Sequence, residues 1–269
     1  MTIITPAELA NKALGLNPPN ATIHQSTHDS DWLWAVFSVM MLADLLVIFG
    51  LFAKPRNLLL HQLSIIILSV SGLAYFSMAS NLGHTPITVE WSRGHGQDAT
   101  RDIWYVRYIQ WFINAPLVLL ITFIGTGFPL GSIFSTLFMA DFVVIAGLVG
   151  ALVHSTYKWG YFSMGVSALF YIVGHLFFFT GRQEFPSPTG RSRAAFMSTS
   201  AIIAFLWLIY PLVWALCDGS NVISPTGEMV WFGIMDLLAG PCWIAYFLFT
   251  HRDVEFDGAT PVACLPTKA

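Results

Sequence analysis

Residues Tyr108–Ala140 read YIQWFINAPLVLLITFIGTGFPLGSIFSTLFMA and contain no Lys, Arg, Asp or Glu. The hydrocarbon core of a bilayer selects such runs, at about 20 residues per helical crossing. This run is too long for one helix, and Gly125, Gly127, Pro129 and Gly131 divide it into two. Working outward, Leu58–Val89, Trp159–Gly181 and Ala194–Cys217 are also free of charge. The pattern predicts seven helices, at about 31–53, 58–80, 102–124, 132–153, 157–180, 194–217 and 227–250. The fold class is therefore an all-α membrane protein, a seven-transmembrane-helix bundle. The apolar runs are continuous, which excludes the alternating ten-residue strands of an outer-membrane barrel.

Composition agrees. The 269 residues carry a net charge of −3, and 55% are hydrophobic while only 10% are charged. Soluble domains average roughly 25% charged residues. A disordered chain, a basic nucleic-acid binder and an ordinary cytosolic enzyme are excluded, so the lipid bilayer is the expected partner and nucleic acid is not. Three cysteines are too few for a disulfide scaffold. The helices organise the chain as a polar outer tail (1–30), a transmembrane domain (31–252) and a short inner tail (253–269). Lys54, Arg56, Arg182, Arg191, Arg193, Arg252 and Lys268 then lie inside, and Lys12, Arg93, Arg101 and Lys158 outside. This bias places the N-terminus outside and the C-terminus in the cytoplasm. Asn20-Ala21-Thr22 is a glycosylation sequon in the outer tail. The polar N-terminus has no cleavable signal pattern, and Cys264 in the inner tail reads as a free thiol. There is no metal-ligand cluster, no P-loop and no nucleophile–base pair, hence no enzyme reading. His175, alone inside the fifth helix, reads as structural.

Ionisable groups inside a span are costly and mark function. Asp44, Arg107, Asp141 and Asp236 stand out. A buried arginine needs a carboxylate, so Arg107 and Asp236 are expected to face each other. Asp44 and Asp141 are expected to bond to a neighbouring helix. The sixth helix carries Trp207, Tyr210, Pro211 and Trp214 on one face, and the third carries Trp104, Tyr105, Tyr108, Trp111, Asn114 and Pro116. Rings beside ionisable groups and mid-helix prolines point to a ring-lined pocket.

These motifs resemble the microbial rhodopsins, most closely the fungal branch. Arg107-Tyr108-Ile109-Gln110-Trp111-Phe112-Ile113-Asn114-Ala115-Pro116 is similar to the R-Y-x-D-W-x-x-T-x-P pattern of the third helix. Tyr75 fits the pocket tyrosine of the second, Asp141 with Gly147–Leu152 fits the fourth, and Lys158-Trp159-Gly160-Tyr161 fits the start of the fifth. Trp207, Tyr210, Pro211 and Trp214 match the ring sandwich of the sixth, and Glu228 with Asp236–Ala239 matches the seventh. The resemblance covers all seven helices and implies homotrimers.

The departures bear on function. The resemblance implies a retinal Schiff-base lysine four residues after Asp236, where this chain has Gly240, and its lysines are Lys12, Lys54, Lys158 and Lys268. The proton-acceptor position is Gln110 and the donor position Ile121. Losing the lysine and the acceptor together keeps the buried charge balanced, with Arg107 against Asp236. The resemblance is thus to opsin-related proteins without the retinal lysine, a group associated with the plasma membrane and with stress. The expected function is a non-photochemical scaffold or modulator, partnered by another membrane protein and without a covalent cofactor. The alternative is a sensor of a non-covalent apolar ligand (retinal, lipid, sterol or carotenoid) in a vestigial pocket of Tyr75, Gln110, Trp111, Asn114, Trp207, Tyr210, Pro211, Trp214, Asp236 and Gly240. A third reading is residual transport through an intramembrane charge network of Asp44, Asp141, Arg107, Glu228 and Asp236, which the apolar Ile121 opposes. Ala115 replaces the threonine that bonds Asp141 in the family. Asn114 is the substitute donor, and Asp141 is expected to be neutral.

Overall fold

The computed structural model describes residues 11–52, 58–124, 126, 128–179 and 193–252. Gly125, Gly127, Lys54, Arg56, Arg182, Arg191, Cys264 and Lys268 lie outside the described residues. Seven helices are long and apolar enough to cross a membrane: α1 Thr27–Phe52, α2 Leu58–Ala79, α3 Tyr105–Phe123, α4 Leu130–Leu152, α5 Lys158–Phe178, α6 Arg193–Gly219 and α7 Pro225–Thr250. Successive helices pack as neighbours, α7 closes against α1, and α6 also touches α3.

The boundaries differ from the sequence prediction where polar residues cap or pair the backbone. Helix α1 begins at Thr27 because Ser26 and Asp29 cap it reciprocally, the Ser26 amide donating to Asp29 Oδ2 at 2.7 Å and the Asp29 amide to Ser26 Oγ at 3.3 Å. Helix α3 begins at Tyr105 because Thr100–Ile103 is a strand, β2, paired antiparallel with β1, Thr85–Thr88. Ile23 joins this hairpin: its amide donates to Thr100 O at 2.8 Å, and its carbonyl accepts from the Asp102 amide at 3.1 Å. Residues 11–26 are therefore not a free tail. Ala21, Ile23 and Gln25 are buried, and the Gln25 amide donates to Met78 O and Asn81 Oδ1.

Three helices contain wide i→i+5 turns, at His175–Phe179, Ala215–Gly219 and Leu238–Cys242. The last holds Gly240 and Pro241, and a proline inside a helix has no amide to donate. Such turns re-aim side chains without ending the helix. Wrapped by the helices, the buried core runs from Trp104 near the hairpin to Phe123, Phe128 and Phe196 at the opposite end.

Candidate functional site

Asp236, buried on α7, is the centre of the site. Tyr75 Oη of α2 donates to its Oδ2 at 2.7 Å, and Tyr210 Oη of α6 donates to its Oδ1. Trp111 Nε1 of α3 reaches Oδ1 at 3.2 Å, and Gln110 Nε2 lies 3.5 Å from Oδ2. Three helices thus converge on one carboxyl of a fourth. The rings lock one another: Trp111 meets Tyr210 edge-on at 5.2 Å and Trp207 at 6.3 Å.

Arg107 is not bonded to Asp236, contrary to the expectation. Its Nη1 donates to Glu228 Oε1 at 2.8 Å, its Nη2 reaches Met229 Sδ, and its guanidinium stacks 4.0 Å above the Phe232 ring. Glu228, in the first turn of α7, lies nearer the hairpin and offers two oxygens to two guanidiniums. The second is Arg101, whose Nη2 donates to Oε2 at 2.7 Å and whose Nη1 donates to Asn221 Oδ1 and Ile223 O. Sequence reading placed Arg101 among the loop charges, whereas it is 2% exposed. Burial works against its charge, but Glu228 outweighs burial and holds the guanidinium proton more tightly than water would. Asp218, also absent from the sequence expectations, accepts from Tyr108 Oη at 2.5 Å. The charge account is therefore not one pair but Arg101 and Arg107 set among Glu228, Asp218 and Asp236. The signal was present in Arg101 and Arg107, spaced six residues apart across the turn from β2 into α3.

The remaining predicted residues divide. Asp44 accepts from Ser69 Oγ of α2 at 2.7 Å, the neighbouring-helix bond expected of it. Asn114 does not serve Asp141: its Nδ2 donates to Ile67 O and Ser71 Oγ on α2, the opposite neighbour of α3. Asp141 has no donor among the described residues, and its Oδ1 is buried without a partner. The five-residue charge network therefore does not form; only Arg107 and Glu228 are bonded. Asn20 is exposed at the rim. Among the described residues no group of three potential metal ligands comes together.

A cavity of about 140 Å³ remains beside the site, lined by Tyr108, Trp111, Trp207, Tyr210, Pro211 and Trp214 with apolar residues of α4 and α5. Gly147 and Gly165 border it. A void of about 150 Å³ holds one benzene-sized ring. The lining excludes Tyr75, Gln110, Asn114, Asp236 and Gly240 but includes Arg107, Trp111 and Tyr210, so the expected pocket divides into a polar knot and an adjoining, mostly apolar chamber that share these side chains. A Cβ placed on Gly240 would lie 3.7 Å from both Sδ and Cε of Met40, a buried residue of α1. Met40 thus lies within van der Waals reach of the lysine position. Lys158, the described lysine nearest the bundle, is buried at the hairpin end and donates to Gly219 O. The residues present do not fit a covalently bound retinal.

Seven spans around a buried carboxyl held by two tyrosines and a tryptophan define an opsin-type bundle. The family model described as "Bacteriorhodopsin-like protein" matches residues 27–251, and the chain belongs to that family. It is 51% identical to Protein FDD123 of Trametes versicolor, over 92% of this chain and 86% of that protein. It is 32% identical to the 30 kDa heat shock protein of Saccharomyces cerevisiae, over 93% and 80%. Among solved structures it superposes on a light-driven proton pump from Leptosphaeria maculans with a TM-score of 0.75 and 30% identity, over 85% of this chain and 97% of that one.

Proposed function

We propose that this opsin-related integral membrane protein works without a covalent chromophore and without a pumping cycle, as a scaffold or modulator of another membrane protein in the plasma membrane. The observation that carries this reading is Gly240, which puts no amine beside Asp236 and lies in van der Waals reach of Met40. With no amine there, Asp236 is satisfied instead by Tyr75, Tyr210 and Trp111, a closed set of donors rather than a proton relay. The half of the bundle away from the hairpin adds support. Ile121 is fully buried, and Phe123, Phe128 and Phe196 of the same core pack against one another with centroids 5.2–6.3 Å apart. Buried His175 packs against Phe123 and Phe128 with centroids 6.2 and 5.9 Å apart, and no carboxyl joins these rings among the described residues. A stress setting is favoured by the similarity to a protein named for heat shock.

A second reading has its own observation, the ring-lined chamber. Its volume suits a small apolar ring, or one end of a longer molecule, rather than a whole polyene.

One experiment tests both. All-trans retinal is added to the purified protein, and the visible spectrum and intact mass are recorded before and after borohydride. Vesicles carrying the protein and retinal are then illuminated and their external pH followed. Neither a covalent adduct nor a light-driven pH change is expected; either one overturns the first reading. A shifted band without an adduct supports the second.

A further inference from the structure

His84 stands between α2 and β1, and both of its ring nitrogens face hydrogen-bond acceptors. Nδ1 lies 2.8 Å from Asp102 Oδ1 on β2, and Nε2 lies 3.2 Å from the Asn81 carbonyl, just past the end of α2. A neutral imidazole carries one N–H, so its other nitrogen presents a lone pair. In that form one of the two contacts sets a lone pair against an acceptor oxygen. Only the imidazolium, with a proton on each nitrogen, donates to both. Asp102 is 2% exposed, and its Oδ2 has no partner among the described residues. The imidazolium is therefore the counter-charge at hand for a buried carboxylate. The His84 side chain keeps 8% of its surface exposed, so it is not sealed from water.

The two acceptors belong to different parts of the cap. Asn81, at a φ of +56°, is the hub of the turn after α2. Its Oδ1 accepts from Gln25 Nε2 at 2.8 Å and its Nδ2 donates to Asn17 O at 2.7 Å, which ties residues 11–26 to the bundle. Asp102 stands on the strand that carries Arg101 inward to Glu228. His84 thus fastens the hairpin to the end of α2, one residue along β2 from the buried arginine–glutamate cluster. Its ring also packs on Trp104, at 4.8 Å between centroids. The other ionisable groups of the cap turn elsewhere. Arg101 bonds Glu228, His24 Nδ1 faces Gln25 O, Glu90 faces Lys158, and Arg93 Nε donates to Ser220 O. His95 and Asp98 are exposed in the hairpin loop. Asp102 is the charged group that the ring meets among the described residues.

We infer that His84 is a pH-sensitive clip: protonated, it holds the hairpin cap on α2, and deprotonation releases one of its two contacts. Closing is favoured where the ring is charged and weakens as pH rises through the histidine titration. The clip works alike in a scaffold, a sensor or a bundle that binds nothing, so its failure leaves the light-independent reading intact.

The test is amide hydrogen exchange of the full chain in phosphatidylcholine nanodiscs, where both faces meet the same buffer. Protection at residues 79–107, corrected for the intrinsic pH dependence of exchange, is compared at about pH 5 and about pH 8.5, on either side of the ordinary histidine range. Wild type is expected to be roughly tenfold more protected at the acid pH, the scale of one hydrogen bond to a charged group. His84→Gln should remove that difference, and His24→Gln should keep it. Asp102→Asn, which retains an acceptor oxygen without the charge, should reduce it. Wild-type protection that does not fall as pH rises overturns the clip whatever the variants do. A pH difference that survives His84→Gln, with protection lowered equally at both values, makes His84 a packing residue and overturns it as well. If His84→Gln does not fold, Asp102→Asn decides, since an unchanged pH difference in that variant also overturns the clip.

Discussion

Glu228 shows how one side chain sets the charge economy of the bundle. Its two oxygens each accept from a different buried guanidinium, at 2.7 and 2.8 Å. Glu228→Gln leaves two arginines with one neutral acceptor between them. Breaking a buried ion pair by removing one partner costs about 3–5 kcal/mol. Thermal unfolding in detergent should fall accordingly, whereas Asp31→Asn, at an exposed contact with Asn11, should change it little. Met40 and Gly240 make the second residue-scale prediction. Gly240→Lys alone directs a long side chain against Met40 and should yield little retinal adduct. Gly240→Lys with Met40→Ala opens that space beside Asp236, and a borohydride-fixed adduct should then appear by mass. Equal adduct in the single and double variants would show that Met40 does not close the position.

The hairpin element depends on Gly83, between α2 and β1. Its φ is +82°, a left-handed conformation that side chains rarely adopt, and a Cβ there would lie 2.7 Å from Val106 Cβ. Gly83→Ala should cost more than about 1 kcal/mol, since strain and collision act together. Because Gly83 O accepts from the Val106 amide, the hairpin and the start of α3 should loosen first. Hydrogen exchange concentrated at residues 83–107 would show this, and uniform loosening of the bundle would contradict it. The wide turns are a different kind of element feature. Pro241 lacks an amide proton, which sequence shows, whereas the wide turn around it and its packing against α1 and α2 are seen only in the structure.

For the whole molecule, the outstanding question is which way the bundle faces. The hairpin and residues 11–26 cover one end, and Asn20 is exposed on that cover. With the hairpin end outside, Asn20 meets the glycosylation machinery of a eukaryotic host. Wild type is then expected to lose apparent mass on endoglycosidase treatment, and Asn20→Gln is not. Cleavage of an N-terminal tag by protease added to intact cells reads the orientation independently; a protected tag would reverse the assignment.

The seven spans were legible because charge-free windows are set by the solvent, and a bilayer excludes ionic groups whatever packs against them. The ring sandwich of Trp207, Tyr210 and Trp214 was legible for a similar reason, since helical spacing fixes which residues share a face. Pairing was not legible. Arg107 sits nearer Glu228 than Asp236 because hydrogen bonding depends on helix rotation and on a hairpin that carries Arg101 inward. The same holds for Asn114, which turns toward α2 and leaves Asp141 without a donor, and for Met40, whose approach to Gly240 joins residues two hundred positions apart. The sequence by itself determined a seven-helix membrane bundle with an opsin-like ring set and no lysine at Gly240. Only the tertiary structure decided which charges meet, that the pocket divides into a polar knot and a small apolar chamber, and that Asp141 Oδ1 is buried without a donor among the described residues. Burial in a bilayer is a property of each residue, but a hydrogen bond needs two groups brought within 3 Å.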